Sequence, residues 1–334
     1  MYDKISMLGV YWQSWSSRWS ATAATLDLVT DLDTNCNLVY LCFANPNCSY
    51  SKGSKSWSGT GLDFSMDFQI VVDAIKILKT RGITVMLSVG GATYQFNMFP
   101  VKPVIDLAQD LGVDGIDLDW EPTLGAQLDQ QFSDLIRDYK ASLWEGGKLS
   151  AAVFSTGAYG KNGDTYQGMN IRGLVSHGSD LNWINLMAYD AGPPPPAGSF
   201  DPLGAFTAYR MYYPGPIVFG FEPGPQGWGG HLITLEEVQK NAAFVYKENP
   251  KNGIFLWSAQ KTTTGSPSVQ TILSTAANIW KPKGPPQDGV VVTPNPTLPV
   301  ATIPSWDAGT NKPMVFTVSL VCGNCKAVNT LTLK

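Results

Sequence analysis

The sequence Asp-Gly-Ile-Asp-Leu-Asp-Trp-Glu-Pro, residues 114–122, decides how the rest of this chain is interpreted. It places four acids in a segment that is otherwise apolar and typical of a β-strand. Successive side chains of a strand alternate between its two faces, so we expect Asp117, Asp119 and Glu121 on the same side, about 6.5–7 Å apart along the backbone. Like charges and burial both raise the pKa of a carboxyl group. The pattern therefore predicts a carboxylic acid that stays protonated near neutral pH, as general acid catalysis requires.

Two other arrangements would also concentrate carboxylates: a metal site and the solvated end of an acidic strand. A metal site would draw on histidines or further acids, and the chain contains only two histidines, His177 and His231, neither in a pattern that suggests catalysis. The sequence therefore favours catalysis by the acids themselves, with no metal and no cofactor.

The composition argues against some classes of partner. Of 334 residues, 15% are charged, and the net charge is -4 without a cluster of lysines or arginines, so we expect no nucleic-acid partner. The 11 Trp, 13 Tyr and 14 Phe suit a protein that binds a neutral ligand such as a sugar by stacking. No apolar run approaches the roughly 18 residues of a membrane span, so we expect no membrane partner. The first residues are too short and too patterned for an export signal, and the compartment stays open.

The five cysteines predict neither a metal site nor a disulfide pattern. An odd number cannot pair completely within one chain. Three lie around one predicted strand, separated by five residues each, which is not a zinc-ligand spacing. The cysteines are Cys36, Cys42, Cys48, Cys322 and Cys325. Their pairing is left open.

Short apolar runs rich in β-branched residues alternate with amphipathic runs along most of the chain. This alternation predicts an α/β fold of the (β/α)8 or TIM-barrel type, whose strands are buried on both faces. A doubly wound open sheet is the alternative, but the glycine-rich loop that usually follows its first strand is absent. The predicted strands are Ile5–Trp12, Asn37–Ala44, Thr84–Val89, Gly112–Glu121, Leu149–Phe154, Trp183–Tyr189, Ile217–Phe221 and Ile254–Trp257.

Helical spacing of apolar residues predicts helices between these strands. The clearest begins after Thr234, which forms a capping box with Glu237. The predicted helices are Met66–Arg81, Gln127–Leu143, Leu235–Asn249 and Ser266–Trp280.

A change in composition near residue 283 predicts two regions. Residues 1–283 form the catalytic barrel, and residues 284–334 form a Pro-rich linker and a small β appendage. Alternating patterns in Met314–Val321 and Ala327–Leu333 predict a strand pair. This extension is a candidate surface for self-association.

Four motifs resemble glycoside hydrolase family 18, the chitinase family. Its Asp-x-x-Asp-x-Asp-x-Glu motif is matched by residues 114–121, and its Ser-x-Gly-Gly motif by residues 88–91. Its Met-x-Tyr-Asp motif is matched by residues 187–190, and the Trp that closes its eighth strand by Trp257. They fall in the right order on the predicted strands, so the resemblance covers roughly residues 4–283.

The resemblance implies four catalytic side chains, those of Glu121, Asp119, Asp117 and Tyr189. Glu121 resembles the general acid that protonates the leaving oxygen. Asp119 resembles the residue that forms a hydrogen bond first to Asp117 and then to Glu121 and the substrate amide. Tyr189 resembles the hydroxyl that holds the N-acetyl carbonyl. Trp257 resembles the hydrophobic floor under the distorted sugar, and the residues expected to bind substrate are Trp257, Asp190, Met187, Tyr11, Phe43, Gly90, Gly91 and Trp228.

The resemblance also implies a reaction. In this family the substrate's own acetamido oxygen attacks the anomeric carbon, so the expected activity is retaining, substrate-assisted hydrolysis of chitin or chito-oligosaccharides. Many members insert a large α+β module between the seventh and eighth strands. Here the helix Leu235–Asn249 takes up half of that connection, so we expect no insertion, a shallow cleft and internal cuts.

Two other functions are compatible with this resemblance. One is an endo-β-N-acetylglucosaminidase that acts on N-glycans, and the other is a non-catalytic chitin-binding lectin. The chain retains Glu121, which argues against the lectin. Degradation of an external polymer favours an extracellular location, although no signal peptide is visible in the sequence.

Overall fold

The structure is a computed structural model. It describes residues 6–94, 100–160, 165–190, 201–227, 230–261 and 264–280, and the backbone of residues 316–321 and 328–333. The chain divides into two compact units, Met1–Lys283 and Gly284–Lys334. The first contains a barrel and the second a strand pair.

Eight parallel strands close into a barrel, in which each strand pairs with the next along the chain and the last pairs with the first. This architecture confirms the predicted (β/α)8 fold. The strands are β1 (Leu8–Gln13), β2 (Leu38–Ala44), β3 (Thr84–Gly90), β4 (Gly115–Asp119), β5 (Lys148–Phe154), β6 (Trp183–Met187), β7 (Ile217–Phe221) and β8 (Gly253–Leu256).

Three strands end earlier than their sequences predict. Strands β4, β6 and β8 each stop one or two residues before the predicted limit. Glu121, Tyr189 and Trp257 therefore lie in the loops that follow these strands. A paired strand fixes side chains to alternate faces, whereas a loop residue is free of that alternation. The functional side chains of a barrel commonly stand at this edge for the same reason.

Helices follow the strands and pack their apolar faces on the outside of the barrel. They are α1 (Asp27–Thr30), α2 (Phe68–Thr80), α3 (Lys102–Leu111), α4 (Leu128–Ser142), α5 (Ile171–His177), α6 (Pro202–Arg210), α7 (Leu235–Glu248) and α8 (Val269–Trp280). The predicted capping box of α7 is present, because the Thr234 hydroxyl accepts from the Glu237 N–H and the Glu237 carboxylate accepts from the Thr234 N–H. Gly112, predicted as the start of β4, instead ends α3 with a φ of 73°. Among the described helices, none is long and apolar enough to cross a membrane.

The strands are buried on both faces, as the continuous apolar runs predict. All residues of β2 and β4 are buried. One apolar cluster lies between the strands and the helices, and a second lies inside the barrel. The inner cluster includes Tyr11, Tyr40, Met86, Trp183 and Phe255.

Strand register determines which side chains surround the acids of β4. Ser88 of β3 pairs with Asp117 of β4, and Asp117 pairs in turn with Ser150 of β5. Residues at one level of a barrel share the same inward direction. Two hydroxyl groups are therefore placed on either side of a buried carboxylate by the backbone alone.

The connection between β7 and β8 is short. In its described part, residues 222–227 and 230–252, the helix is α7 and no further strand is present. As expected, the described part of this connection contains no large α+β insertion.

The second unit contains two antiparallel strands, β9 (Phe316–Val321) and β10 (Val328–Leu333). They coincide with the two alternating segments of the sequence. Self-association through this extension stays a prediction.

Gly115 should be intolerant of any side chain. A Cβ at this position of β4 would lie 2.1 Å from the Lys148 carbonyl oxygen of β5, and that oxygen belongs to the barrel backbone. We expect Gly115→Ala to lower the free energy of unfolding by about 1–3 kcal/mol, measured by urea denaturation. Gly125→Ala is the matched control, because the nearest atom to its Cβ is 3.9 Å away. Equal stability of the two variants would contradict the prediction.

Candidate active site

The predicted catalytic residues meet at the carboxyl end of the barrel. Asp117 and Asp119 lie on β4, and Glu121 lies two residues beyond its end. Tyr189 follows β6, and Trp257 is the first residue after β8. The closed barrel thus brings together side chains that are far apart in the sequence.

Asp117 is a fully buried carboxylate with a complete set of hydrogen bonds. Its Oδ2 accepts from the Tyr11 and Ser88 hydroxyls, each at 2.8 Å. Its Oδ1 accepts from the Ser150 hydroxyl at 2.7 Å and from Asn185 Nδ2 at 2.9 Å. Burial raises the pKa of Asp117, and these four donors oppose the rise.

Asp119 is buried in a very different way. Its Oδ1 has no hydrogen-bond partner among the described residues. Burial raises the pKa of Asp119 well above its usual range, and the charges of Glu121 and Asp117 raise it further. Four donors therefore oppose the effect of burial at Asp117, and none opposes it at Asp119.

Glu121 lies at the edge of the cleft. Burial raises the pKa of its carboxyl group to about 7, and the charge of Asp190 contributes to the rise. The group is therefore at least half protonated up to neutral pH. This is the property that the acidic motif predicts for one of its members.

Tyr189 and Asp190 approach Glu121 from the loop after β6. Burial and the nearby charges of Asp119 and Glu121 raise the pKa of the Tyr189 hydroxyl well above its usual range, so it remains a hydrogen-bond donor. Asp190 adopts the left-handed region with a φ of 47°. Its backbone N–H donates to the buried Gln226 Oε1 at 3.0 Å, which holds this conformation in place.

Aromatic rings form the floor of the cleft. Trp257 stacks on Phe43, with ring centroids 5.5 Å apart and planes 27° apart. Tyr11 meets the edge of Trp257 with a centroid distance of 6.0 Å, and Trp15 covers Phe43 at 6.1 Å. Met187 completes the lining of the same cavity.

Gly90 and Gly91 lie behind this floor. Gly90 ends β3 beside Asp119, and the Gly91 N–H donates to the Asp119 carbonyl oxygen at 2.8 Å. A Cβ on Gly91 would lie 2.8 Å from the Phe43 ring. Gly91 therefore permits the position of Phe43, and neither glycine lines the two described cavities. Trp228, the remaining residue predicted to bind substrate, lies outside the described residues.

Two cavities adjoin at Glu121. The first has a volume of about 440 Å³ and contains the aromatic floor together with Asp119. The second has a volume of about 820 Å³ and contains Phe154 and Tyr166. Four residues line both cavities: Glu121, Met187, Tyr189 and Asp190. The acid therefore stands at the border between two spaces.

Sequence reasoning missed several members of this site. Ser150 and Asn185 are polar residues inside otherwise apolar strands, a signal that could have identified them as partners of a buried charge. The second cavity carries no such signal, because Phe154 and Tyr166 read as ordinary apolar residues of a strand end and a loop. Among the described residues, no group of three or more His, Cys, Asp or Glu is arranged to hold a metal ion. Cys36, Cys42 and Cys48 are buried free thiols.

The chain matches the model of a known family, described as Glycosyl hydrolases family 18, over residues 7–198. A class V chitinase of Arabidopsis thaliana is 31% identical, over 53% of this chain and 50% of that protein. A chitinase of Plasmodium falciparum is 32% identical, over 34% of each chain. The chain therefore spans half or less of the length of these curated relatives.

Solved structures show the same fold at lower identity. A fungal endo-beta-N-acetylglucosaminidase of glycosyl hydrolase family 18 has a TM-score of 0.59 and 18% identity, over 83% of this chain and 98% of that chain. A GH18 chitinase from Cycas revoluta in complex with (GlcNAc)3 has a TM-score of 0.55 and 15% identity, over 82% of this chain and 100% of that chain.

The raised pKa of Glu121 should appear in the pH dependence of stability. The folded state holds this proton with a pKa of about 7, whereas an unfolded glutamate has a pKa of about 4.3. The resulting stabilisation is complete below the unfolded value and is lost as pH rises through the folded value. We expect Glu121→Gln, which cannot ionise, to exceed the wild type in free energy of unfolding by about 1–3 kcal/mol at about pH 8 and to match it near pH 4.

Urea denaturation across this pH range provides the measurement. Glu145→Gln, which removes an exposed carboxyl group away from the described cavities, is the matched control. If the free energy of unfolding of Glu121→Gln equals that of the wild type at every pH, burial does not raise the pKa of the Glu121 carboxyl group.

Proposed function

Since this chain belongs to family 18 of the glycosyl hydrolases, we propose that it hydrolyses β-1,4-linked N-acetylglucosamine polymers, chitin and its oligosaccharides, by internal cuts with retention of configuration. The observation that carries the proposal is Glu121, a carboxyl group with a pKa of about 7 at the border between two cavities. A sugar in each cavity would place the glycosidic oxygen beside this acid.

Glu121 supplies the proton that the leaving oxygen needs. A general acid works best when its pKa lies near the working pH, which is the value that burial and Asp190 impose here. After the first step Glu121 is ionised and acts as the base for the incoming water. Turnover is expected to fall as pH rises above about 7, because the acid then loses its proton before the reaction.

The nucleophile comes from the substrate. A retaining glycosidase with an enzymic nucleophile places two carboxyl groups about 5–5.5 Å apart across the scissile bond, and family 18 is an exception that uses the 2-acetamido oxygen. Asp117 and Asp119 lie on β4, and the acid lies in the loop that directly follows this strand. All three therefore approach from the same side, and neither aspartate can attack from the opposite face. The attack is intramolecular, which removes much of the entropic barrier.

Asp119 and Tyr189 orient the acetamido group. The Tyr189 hydroxyl remains protonated and can donate to the amide carbonyl. The carboxyl group of Asp119 is within electrostatic reach of Glu121, and its unpartnered oxygen can accept a hydrogen bond from the amide N–H of the acetamido group. The stack of Trp257 on Phe43 offers an aromatic surface on which the sugar can pack.

The two cavities support internal cleavage. The larger cavity, with Phe154 and the half-exposed Tyr166, can hold the leaving part of the chain, and the smaller cavity can hold the sugar that reacts. The short connection between β7 and β8 adds no wall to the cleft in its described part. A polymer can therefore enter and leave from the side.

One solved structure with this fold is an endo-beta-N-acetylglucosaminidase, which supports a second candidate substrate class. A chitinase and an endo-β-N-acetylglucosaminidase differ in the glycan that they recognise and in the group that leaves when the bond is cleaved. A comparison of chitotetraose with a high-mannose glycopeptide separates them. Cleavage of the glycopeptide alone would replace chitin as the proposed substrate.

Glu121→Gln should abolish turnover while leaving sugar binding intact. The substitution removes the transferable proton but preserves the shape of the side chain, so we expect a loss of about 10⁴-fold in kcat with chitotetraose. Calorimetry with a slowly hydrolysed substrate should show an affinity of the variant within a few-fold of that of the wild type. Near-normal turnover would exclude Glu121 as the acid.

Two further variants calibrate this result. Asp119→Asn should lose about a hundredfold, because it weakens the orientation of the amide but keeps the acid. Glu145→Gln, on the exposed surface, should retain full activity.

Chitohexaose should yield internal-cleavage products in the β-anomeric form. Retention follows from two successive displacements at the anomeric carbon, and open cavities on both sides of Glu121 allow several binding registers. Product sizes by chromatography and anomers by NMR in the first minutes provide the measurement. Products that begin in the α form, or equally rapid cleavage of cellulose, would contradict the substrate-assisted mechanism.

A further inference from the structure

A chain of hydrogen bonds runs through the barrel interior below the acids. Trp183 Nε1 donates to the Tyr40 hydroxyl at 2.8 Å, and the Tyr40 hydroxyl donates to Asn185 Oδ1 at 2.7 Å. Asn185 Nδ2 then donates to Asp117 Oδ1 at 2.9 Å. It also donates to the Tyr11 oxygen at 3.2 Å. All five residues are buried.

The chemistry of the first member gives this chain one direction. An indole N–H can only donate a hydrogen bond. The Tyr40 oxygen accepts that bond from Trp183, so its own hydrogen is directed to the next partner, which must accept it. The carbonyl oxygen of Asn185 is the end of the amide that can accept. The amide nitrogen is therefore turned toward Asp117.

This orientation matters because the other partners of Asp117 are ambivalent. The hydroxyls of Tyr11, Ser88 and Ser150 donate to Asp117 here, but a hydroxyl can also rotate and accept a hydrogen bond from a protonated carboxyl group. An amide NH2 group cannot accept. Asn185 is thus the partner that disfavours a proton on Asp117.

We propose that Tyr40 and Trp183 are positioning residues which, by holding the amide of Asn185 in one orientation, keep Asp117 ionised and leave the proton of the pair on Asp119. This inference rests on the proposed function for its kinetic readout. A negative charge would then remain fixed at the barrel axis while the proton nearest to the substrate stays exchangeable with Glu121.

Among the titratable groups around Asp117, Asp119 is the carboxyl group that titrates together with it. The neighbouring strands β3, β5 and β6 present neutral Ser88, Ser150 and Asn185. The titratable groups that sense its charge are Tyr11 on β1, Tyr40 and Cys42 on β2, Asp119 on β4, and Tyr189 after β6. Burial raises the pKa of each hydroxyl and of the thiol, so these stay protonated at neutral pH.

Tyr40→Phe provides the first test. Without the hydroxyl, Asn185 Oδ1 loses its donor, and the amide can turn its oxygen toward a protonated Asp117. We expect the acid limb of the kcat/KM profile with chitotetraose to move up by roughly one pH unit, since a hydrogen bond to a charged group is lost or weakened. The basic limb, which reports Glu121, should stay in place.

Tyr209→Phe is the matched control. Tyr209 is fully buried and its hydroxyl also contacts two oxygens, those of Phe154 and Asn170, but it has no bond to the chain that leads to Asp117. Both variants should lose stability, and only Tyr40→Phe should shift the acid limb. An unshifted acid limb in folded Tyr40→Phe, or an equal shift in Tyr209→Phe, would overturn the proposal.

A double variant distinguishes positioning from a general disturbance of the barrel. If Tyr40 acts through Asn185, then Tyr40→Phe should add no shift to the acid limb of Asn185→Leu. Additive shifts would show that Tyr40 affects the acids by another route.

A last measurement needs no turnover and so separates this inference from the proposed function. In protein labelled with 13C-aspartate and carrying Asp119→Asn, the infrared carbonyl band of protonated Asp117 should persist to a higher pH once Tyr40→Phe is added. An unchanged titration would overturn the inference even in an active enzyme. A wild type that cleaves no chito-oligosaccharide, combined with the expected infrared shift, would refute the proposed function alone.

Discussion

The burial of the Asp117 carboxyl group is the constraint on which the rest of the site depends. An ion in a dry interior is stable only if its lone pairs are satisfied, and Asp117 meets this requirement with four donors. These donors come from β1, β3, β5 and β6, so no local segment could supply them. Closure of the barrel is therefore what supplies this carboxyl group with its hydrogen-bond partners. The polar centre of an otherwise apolar barrel is a product of that closure.

Three carboxyl groups of one short segment acquire three different environments. Asp117 is saturated with donors, Asp119 is buried with an unpartnered oxygen, and Glu121 borders the cavities. Both burial and the neighbouring negative charges then raise the pKa of Asp119 and Glu121. Division of labour between like acids arises from such differences in surroundings. Under the proposed function, the first acid holds a charge, the second exchanges a proton and the third faces the substrate.

Much of this arrangement could be predicted from the sequence. Alternation of apolar and amphipathic runs predicts the barrel, because strands buried on two faces leave a continuous apolar signature. The acidic motif predicts the catalytic face, because a strand has a period of two. The limits of β4, β6 and β8 could not be predicted, since pairing with neighbouring strands rather than propensity decides where a strand ends. The cavity beside Phe154 and Tyr166 was missed because its walls are ordinary residues gathered from separate loops.

By itself, the sequence determined the number of barrel strands, the family and the identity of the acids, since these follow from local periodicity and short motifs. The tertiary structure alone decided how deeply each acid is buried and how many hydrogen-bond donors it receives. It also decided the direction of the Asn185 amide and the partition of the cleft into two cavities at Glu121. The physical reason is that pKa values and hydrogen-bond directions depend on groups within a few ångströms, and in a closed barrel those groups come from strands far apart in the chain.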